Sequence, residues 1–339
     1  MYKTLQDIEK DLNVLRDEGI QKGNEVGFSW DMLPFTVLLG KTTYIGAAPA
    51  SGKTEIWFEF LINLSCKYGW NHIVYSPETG SAEEIYSELC YKFIGKSFIK
   101  NKGFEMTERE KIKATHFIGK HFVVVDPIDE DMTIDKFYEV CDQIEIETNK
   151  KYHTTTIDPF NELTEEYIPS DLGREDKYLS RILGKVRKNA RKSGRHNCII
   201  THVRDQQVIQ NKDGKRFFPM PTARDMAGGQ VWFRKGLNIL MIWRPPYGLV
   251  SEDGTLYEDN EVHVNIAKAK PKGTAKKGTY KIFLDLQRYQ YYMLDFKGDR
   301  IYADRSEHTM QYEIEPIQKA DFTKIAYKNT FDKPDDMPF

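Results

Sequence analysis

Residues 47–54 read Ala-Ala-Pro-Ala-Ser-Gly-Lys-Thr and lie between the apolar run 42–45 and a helical stretch at 55–68. A loop ending in Gly-Lys-Thr between a strand and a helix is the context of a phosphate-binding loop. Its backbone N–H groups cradle phosphates, its lysine reaches the β- and γ-phosphates, and its threonine hydroxyl ligates Mg²⁺. A chance Gly-Lys-Thr in a turn is the alternative. The stretch predicts a nucleotide site formed by Ala48, Pro49, Ala50, Ser51, Gly52, Lys53 and Thr54, with Ala47 where the pattern asks for glycine.

Hydrophobic periodicity extends this strand and helix into an α/β fold. Predicted strands cover residues 42–45, 73–76, 122–125, 154–157, 198–201, 239–243, 262–267 and 281–284. Helical stretches at 55–68, 82–95, 134–148 and 177–192 are long enough to cross over between the first five strands. We therefore expect a mostly parallel central sheet flanked by helices. Because no helix is predicted after residue 262, the last strands should form an antiparallel C-terminal edge.

Composition narrows the class of protein. The 339 residues include 49 Lys+Arg and 51 Asp+Glu, and a net charge of -2 gives no sign of a nucleic-acid partner. No apolar run approaches the ~20 residues that span a bilayer, so we expect a cytoplasmic protein without membrane contact. The widely spaced cysteines fit neither a disulfide framework nor a zinc site, and we expect them to be buried as small apolar side chains: Cys66, Cys90, Cys141 and Cys198.

The chain divides into a body and two attachments. Residues 1–26 combine an amphipathic helix at Leu5–Glu18 with a polar linker. Residues 27–303 form the body. Residues 304–339 are polar and poorly periodic, which predicts a flexible tail.

Three carboxylates follow predicted strands and compete for roles beside the phosphate-binding loop. Glu78, in the segment Ser-Pro-Glu, could polarise the attacking water as a general base. Asp126 follows the more hydrophobic strand, but an aspartate before a proline is more typical of a turn or helix cap. Asp158 is followed by a basic helix and another strand, as expected if its own strand lies beside the loop strand. We assign Asp158, with Thr54, to Mg²⁺.

A histidine ends the next predicted strand. His202 follows residues 198–201, and the carboxyl ends of strands in open α/β sheets face the ligand crevice. It could sense the γ-phosphate, and the alternative is a structural histidine.

Together these residues resemble the DnaB-type hexameric replicative helicases, including the helicase halves of phage primase-helicases, over roughly residues 27–284. The resemblance rests on Ala47 and Pro49 in the loop, the Ser-Pro-Glu ending in Glu78, Asp158, and His202. It implies a RecA-like P-loop NTPase that uses ATP or another NTP with Mg²⁺. The implied activity is that of a replicative DNA helicase translocating on single-stranded DNA as a ring-shaped homohexamer, in a phage or bacterial setting. We expect neither a primase domain nor the N-terminal helical domain of the full-length bacterial helicases, since about 18 residues are too few to contain either.

The resemblance also implies contacts near the C-terminal strands. The family has a strand ending in arginine, matched by Arg244, and an arginine finger in the pattern Lys-x-Arg that reaches the neighbouring subunit's nucleotide. This chain has Lys268-Ala-Lys270, and lysine cannot make the bidentate fork of arginine. Either Lys270 is a weaker catalytic finger, with Lys268 and Arg244 also binding nucleotide, or another residue such as Arg234 acts as the finger.

Positive charge is segregated along the chain. Residues 182–195 and 268–281 each carry six basic residues and no acidic one, and the first stretch predicts an amphipathic helix with a solvated basic face. In ring helicases the loop matching residues 204–222 lines the channel, so we expect DNA contacts there, although a surface β-hairpin is the alternative. The predicted contacts are Lys212, Lys215 and Arg216.

The C-terminal residues resemble the acidic tip of bacterial single-strand-binding proteins. A terminal aromatic side chain can fill an apolar pocket while neighbouring carboxylates meet basic residues at its rim. We expect the tip to recruit replication proteins such as a polymerase or primase, and an ordinary solubilising end is the alternative. The residues concerned are Asp335, Asp336, Met337, Pro338 and Phe339.

Two other functions fit the same motifs. One is a RecA-like DNA-dependent ATPase of recombination or regulation, assembled as a filament. The other is a nucleotide-binding replication adaptor without unwinding activity, which the missing arginine finger makes plausible.

Overall fold

A computed structural model describes residues 2–100, 103–127, 131–204, 206–210, 214, 216–246, 248, 250–251, 255–303 and 305, without the side chain of Arg216. Its helices are α1 (Leu5–Glu18), α2 (Lys53–Tyr68), α3 (Ala82–Ile94), α4 (Glu108–His121), α5 (Ile134–Thr148), α6 (Glu175–Ser193) and α7 (Gln230–Lys235). Its strands are β1 (Asn24–Glu25), β2 (Thr36–Val37), β3 (Thr42–Ala47), β4 (His72–Tyr75), β5 (Phe122–Val124), β6 (Thr154–Ile157), β7 (His196–His202), β8 (Ile209–Gln210), β9 (Arg216–Phe217), β10 (Asn238–Trp243), β11 (Glu261–Lys268), β12 (Gly278–Asp285), β13 (Gln290–Leu294) and β14 (Arg300–Tyr302).

One ten-stranded sheet organises the body. Its order is β14-β13-β12-β11-β10-β3-β7-β6-β4-β5, with parallel pairing from β10 to β5 and antiparallel pairing from β10 to β14. This confirms the predicted α/β fold with an antiparallel C-terminal edge. In the register, Ala47 pairs with both Ile242 and His202, so these strands end together. We call that side of the sheet the carboxyl edge and the opposite side the amino edge.

Helices cover both faces of the sheet because its strands are apolar on both. Every residue of β3 is buried, with Ile45 in the core beneath α2, α3 and α4 and Tyr44 in the core beneath α5, α6 and α7. Trp57 of α2 packs in the first core and donates a hydrogen bond to Thr156 Oγ1 at 2.8 Å. Trp232 of α7 meets the Tyr44 ring edge-on in the second, with centroids 5.3 Å apart. The loop strand is therefore held rigidly from both sides.

Hydrophobic periodicity did not predict every helix and strand. Helix α4 buries few apolar side chains, and its best sequence signal is the capping box in which Thr107 and Glu110 exchange hydrogen bonds. Strands β13 and β14 were also not predicted, because they are short and β14 is largely exposed. By contrast, α1, α5 and β6 have the predicted bounds.

The predicted linker before residue 27 is too long. Asn24–Glu25 pairs antiparallel with Thr36–Val37, and Val26 is fully buried in the core. Helix α1 has no buried residue, and its apolar face stays open, with Leu5 71% exposed. The body therefore begins by Asn24, and α1 stands apart from its core.

The body also extends slightly beyond residue 303. Arg305 donates hydrogen bonds to Asn63 Oδ1 at 2.8 Å and to the carbonyl of Lys92 at 2.9 Å, and it forms an ion pair with the buried Glu59. The predicted tip, residues 335–339, lies outside the described residues.

Two compositional predictions concern cysteines and membranes. The cysteines are free and buried, which confirms the prediction for Cys66, Cys90, Cys141 and Cys198. Among the described residues, no helix combines the length and apolar character needed to cross a bilayer.

Candidate nucleotide-binding site

The phosphate-binding loop joins β3 to α2 at the carboxyl edge. Gly52 has φ +78°, a left-handed conformation that favours glycine, and a Cβ there would lie 2.9 Å from the Tyr291 hydroxyl. Unlike at α1, α3 and α4, no side chain of the described residues caps the N-terminus of helix α2. Its first N–H groups thus remain available to an anion.

A chain of polar contacts crosses the mouth of this loop. Lys53 Nζ lies 3.3 Å from Glu78 Oε2, and His202 Nε2 lies 3.1 Å from the same oxygen. Glu78 follows β4 in a turn fastened by a 2.7 Å hydrogen bond between the Ser76 and Thr79 hydroxyls. The structure therefore brings together three predicted catalytic residues from three separate segments.

Asp158 and Thr54 form the second half of the site. Thr54 Oγ1 donates to Asp158 Oδ2 at 2.5 Å, and Asp158 is only 1% exposed. Burial raises the pKa of Asp158 to about 6, against the opposing effects of Lys53 and the Thr54 hydrogen bond. Asp158 Oδ1 is buried and has no hydrogen-bond partner among the described residues. An unpartnered carboxylate oxygen beside a hydroxyl is a donor set that fits Mg²⁺.

The strand order corrects one step of the prediction. β7, which ends in His202, lies between β3 and β6, so the strand of Asp158 is not next to the loop strand. Asp158 still reaches Thr54 because all three strands end at the carboxyl edge. Asp126 instead accepts a hydrogen bond from the Ala82 amide at 3.0 Å, which confirms the helix-capping alternative.

Asn161 is a site residue that sequence reasoning missed. Its Oδ1 accepts a hydrogen bond from the Thr201 hydroxyl at 3.0 Å and contacts the His202 amide at 3.5 Å. It thereby fixes the end of β7 just before the histidine. No sequence motif marks Asn161, which reaches β7 only because the short 3₁₀ turn after Asp158 folds back over the sheet.

A cleft of about 500 Å³ opens beside the loop, and Arg244 lines it with Lys53, Glu78, Tyr289 and Tyr291. The Arg244 guanidinium is held by a 2.9 Å hydrogen bond to the carbonyl of Asp259. This places the predicted nucleotide contact Arg244 at the carboxyl edge with the loop.

Sequence analysis also missed an acidic pair in the same cleft, Glu55 and Glu88. The Tyr289 hydroxyl lies 2.6 Å from Glu55 Oε1 and 3.0 Å from Glu88 Oε1, and the buried Lys92 pairs with Glu55 at 3.0 Å. Burial, reinforced by Glu55, raises the pKa of Glu88 to about 9. Burial and the Glu55 carboxylate therefore favour the protonated form of Glu88. The Tyr289 hydroxyl that joins the two carboxylates is 201 residues from Glu88 in sequence, so no local signal could reveal the pair.

Lys268 and Lys270 lie elsewhere. Lys268 pairs with Ile239 at the start of β10, which places both lysines at the amino edge, across the sheet from the loop. Lys268 Nζ donates to the carbonyl of Phe233 at 2.5 Å. The structure therefore does not bring either lysine to the nucleotide site of its own chain.

Within the predicted DNA-binding loop, residues 204–222, strands β8 and β9 pair as a β-hairpin. Ile209 pairs with Phe217 and Gln210 with Arg216, which agrees with the hairpin alternative. Lys212 and Lys215 lie outside the described residues, so their DNA contacts stay a prediction.

Comparison with solved structures identifies the fold. The chain superposes on the ATPase domain of G40P with a TM-score of 0.65 and 18% identity, over 87% of this chain and 100% of that domain. A structure described as that of a DnaB-like replicative helicase and its interactions with primase gives a TM-score of 0.63 and 18% identity, over 87% of this chain and 68% of that one. The chain has the fold of DnaB-like helicase ATPase domains.

Comparison of the sequence with known proteins also finds a related chain. A Twinkle homologue of Arabidopsis thaliana, assigned to chloroplasts and mitochondria, is 26% identical over 231 residues. These residues are 66% of this chain and 31% of that protein, so the chain spans under a third of its relative. The chain matches no protein-family profile.

Proposed function

We propose that this chain is the motor of a replicative DNA helicase that hydrolyses ATP or another NTP and translocates on single-stranded DNA. The observation that carries the proposal is the contact chain from Lys53 through Glu78 to His202, beside the Thr54–Asp158 pair. It lies on a fold shared with DnaB-like helicase ATPase domains.

Each side chain has a role in hydrolysis that follows from its position. Lys53, 8% exposed, supplies a positive charge next to the loop amides. Glu78 is 42% exposed and therefore accessible to an attacking water, which it orients and deprotonates. His202 contacts the same Glu78 oxygen as Lys53 and so links the general base to β7. A displacement of Glu78 or of His202 would therefore shift the other side chain. Thr54 and Asp158 would hold Mg²⁺, which supplies charge neutralisation at the phosphates.

The proposal includes a ring-shaped homohexamer. Helix α1 exposes an apolar stripe away from its own body, which suits docking on a second copy. Lys268 and Lys270 lie at the amino edge, which suits contact with the nucleotide of a neighbouring subunit, since the nucleotide site of their own chain lies at the opposite, carboxyl edge. Lys212, Lys215 and Arg216 would neutralise DNA phosphates, and residues 335–339 would bind replication proteins. We place this activity in the cytoplasm of a bacterium or a phage-infected cell.

A forked-duplex unwinding assay tests the function. Wild type should hydrolyse ATP faster with single-stranded DNA and displace a strand. Glu78→Gln should bind nucleotide but lose at least ~100-fold in turnover, because the general base is gone. Glu139→Gln makes the same charge change on the exposed face of α5 and should behave as wild type.

The rival functions give different results. ATP hydrolysis on single strands without strand displacement would contradict the helicase and favour a DNA-dependent ATPase. Loss of both activities would leave the adaptor, for which Lys270 in place of arginine is the favouring observation. Negative-stain images with nucleotide and DNA would separate a closed ring from a filament.

A further inference from the structure

A basic cleft lies at the amino edge, between the start of β3 and helix α6. It has a volume of about 470 Å³, and its lining includes the half-buried Leu237 and Gly184, where a Cβ would meet nothing within 4 Å. Four cations belong to the same lining: Lys41, Arg187, Lys188 and Arg191. The cleft therefore combines an apolar surface with clustered positive charge.

The basic side chains of α6 fall into two groups. Lys185 pairs with Asp135, and the buried Arg195 pairs with Asp142. Within the described part of the chain, the four cations that line the cleft make no ion pair. Arg187 Nε is buried and has no hydrogen-bond partner among the described residues. A solvated basic face would leave such a donor in water, so this cluster indicates a bound anionic group.

The positive charge of the cleft extends to β11 and to the residues that follow it. Desolvation lowers the pKa of Lys268, and the nearby charges of Lys270, Lys277 and Arg187 lower it further. Like charges that disfavour one another's protonated forms are stabilised by an anion from outside the cluster. A ligand with more than one negative group would relieve this repulsion best.

A segment of matching chemistry exists in this chain, beyond the described residues. Residues 306–339 carry seven acidic and four basic side chains, and the tip at 335–339 places Asp335 and Asp336 next to Met337, Pro338 and Phe339. Adjacent carboxylates can meet the cations of the cleft while an aromatic ring covers its apolar part. A phosphate backbone would meet the cations alone, so the tip matches the cleft better than nucleic acid does.

The tip can reach the cleft from the end of the body. A Cβ at Gly27 would lie 2.8 Å from Ala303 Cβ. Two residues earlier Glu25 pairs with Thr36, and Gly40, four residues further along, lines the cleft. These steps place Ala303 within about 35 Å of the cleft, whereas the chain before the tip can span up to about 100 Å. The covalent link also gives the tip a local concentration that a free acidic peptide lacks.

We propose that the tip, residues 335–339, docks in this cleft on its own chain, with its two aspartates at the cations and its aromatic ring against Leu237. Docking withholds the tip from other proteins until they compete for it, which makes the cleft an autoinhibitory contact. The inference goes beyond the proposed function, because it needs neither ATP hydrolysis nor strand displacement.

Fluorescence anisotropy with a labelled peptide of residues 331–339 tests the docking. The full-length variant Asp335→Asn, Asp336→Asn, Phe339→Ala should bind the peptide at least ~10-fold more tightly than wild type, whose own tip competes for the cleft. Adding Lys188→Glu and Arg191→Glu to that variant should weaken peptide binding at least ~10-fold.

Charge reversal in the peptide distinguishes a specific contact from general attraction. A peptide with Asp335→Lys and Asp336→Lys should lose affinity for the intact cleft and recover it with the Lys188→Glu, Arg191→Glu protein. The first half of this test needs no change in the cleft, so it holds even if the protein variant unfolds. Lys151→Glu with Lys192→Glu makes the same charge change at exposed positions outside the cleft and should leave peptide affinity within about threefold.

Cross-linking assigns the tip to its own chain. Full-length protein with Met337→Cys and Lys188→Cys, treated with a short bis-maleimide, should give an intrachain product with the mass of one chain. Met337→Cys with Glu139→Cys, on the exposed face of α5, should not. Products of two chains alone would place the tip on a second copy and overturn the assignment.

Two binding results would also overturn the inference. One is equal peptide affinity for wild type and for the tip variant. The other is a cleft variant that loses affinity for single-stranded DNA and keeps affinity for the peptide, which would make the cleft a nucleic-acid surface. None of these measurements uses ATP or a forked duplex, so a failed unwinding assay contradicts the proposed function and leaves this inference in place.

Discussion

Replacing Asp158 with asparagine should make the nucleotide-free protein more stable, and the same substitution should abolish ATPase activity. Asp158 is 1% exposed, and within the part of the chain that the structure describes its Oδ1 has no hydrogen-bond partner. Burial raises the pKa of Asp158 from 3.8 to about 6. A shift of roughly two units corresponds to about 3 kcal/mol by which the folded state disfavours the ionised carboxylate at pH 7.

The sign of the pH dependence follows from this shift. Because the folded protein binds this proton more tightly than the unfolded chain, the free energy of unfolding should fall as pH rises from about 4 to about 6, and then level off. Asparagine has nearly the same shape, keeps an oxygen to accept from Thr54, and carries no charge. Allowing for lost attraction to Lys53, we expect Asp158→Asn to gain about 1–3 kcal/mol at pH 7 and little at pH 4.

Urea unfolding of the nucleotide-free proteins across this pH range measures the effect. Asp11→Asn on the exposed helix α1 makes the same chemical change in water and should leave the unfolding free energy within about 0.5 kcal/mol of wild type. Asp158→Asn should also lose ATPase activity, since Asp158 is the carboxylate assigned to Mg²⁺. A variant less stable than wild type at pH 7, or a gain that does not change with pH, would refute the reasoning.

Three further predictions concern the C-terminal anchor, the hairpin and the tip. Arg305→Ala should cost roughly 3–5 kcal/mol in urea unfolding, because it leaves the buried Glu59 without its ion pair, and adding Glu59→Gln should recover part of the loss. Lys212→Ala with Lys215→Ala should weaken single-stranded DNA binding and flatten its salt dependence, and an unchanged slope would contradict channel contact. Deleting residues 335–339 should abolish pull-down of replication proteins and leave ATPase activity intact, whereas lost ATPase activity would indicate a structural tip.

The sequence was enough to recognise the local motifs, because the residues that form each motif are close together in the chain. The phosphate-binding loop lies within eight residues, and its flanking strand and helix follow from the immediate hydrophobic pattern. The ends of parallel strands likewise marked Glu78, Asp158 and His202 as candidates, since strand ends gather at one edge whatever the strand order.

Strand order and long-range pairing could not be obtained in the same way. The sequence favoured a position for β6 beside β3, and the fold inserts β7 between them. Asn161, Glu88 and Tyr289 were missed because their roles depend on partners brought from elsewhere in the chain.

By itself, the sequence determined the fold class, the nucleotide loop and the residue types available for chemistry, because these depend on short-range periodicity and on adjacent residues. Only the tertiary structure decided which side chains meet. It brought Glu78 within 3.3 Å of both Lys53 and His202, buried Asp158 enough to raise its pKa, and separated Lys268 and Lys270 from the loop by the width of the sheet. The physical reason is that sheet register and packing are collective: each depends on contacts between segments far apart in the chain.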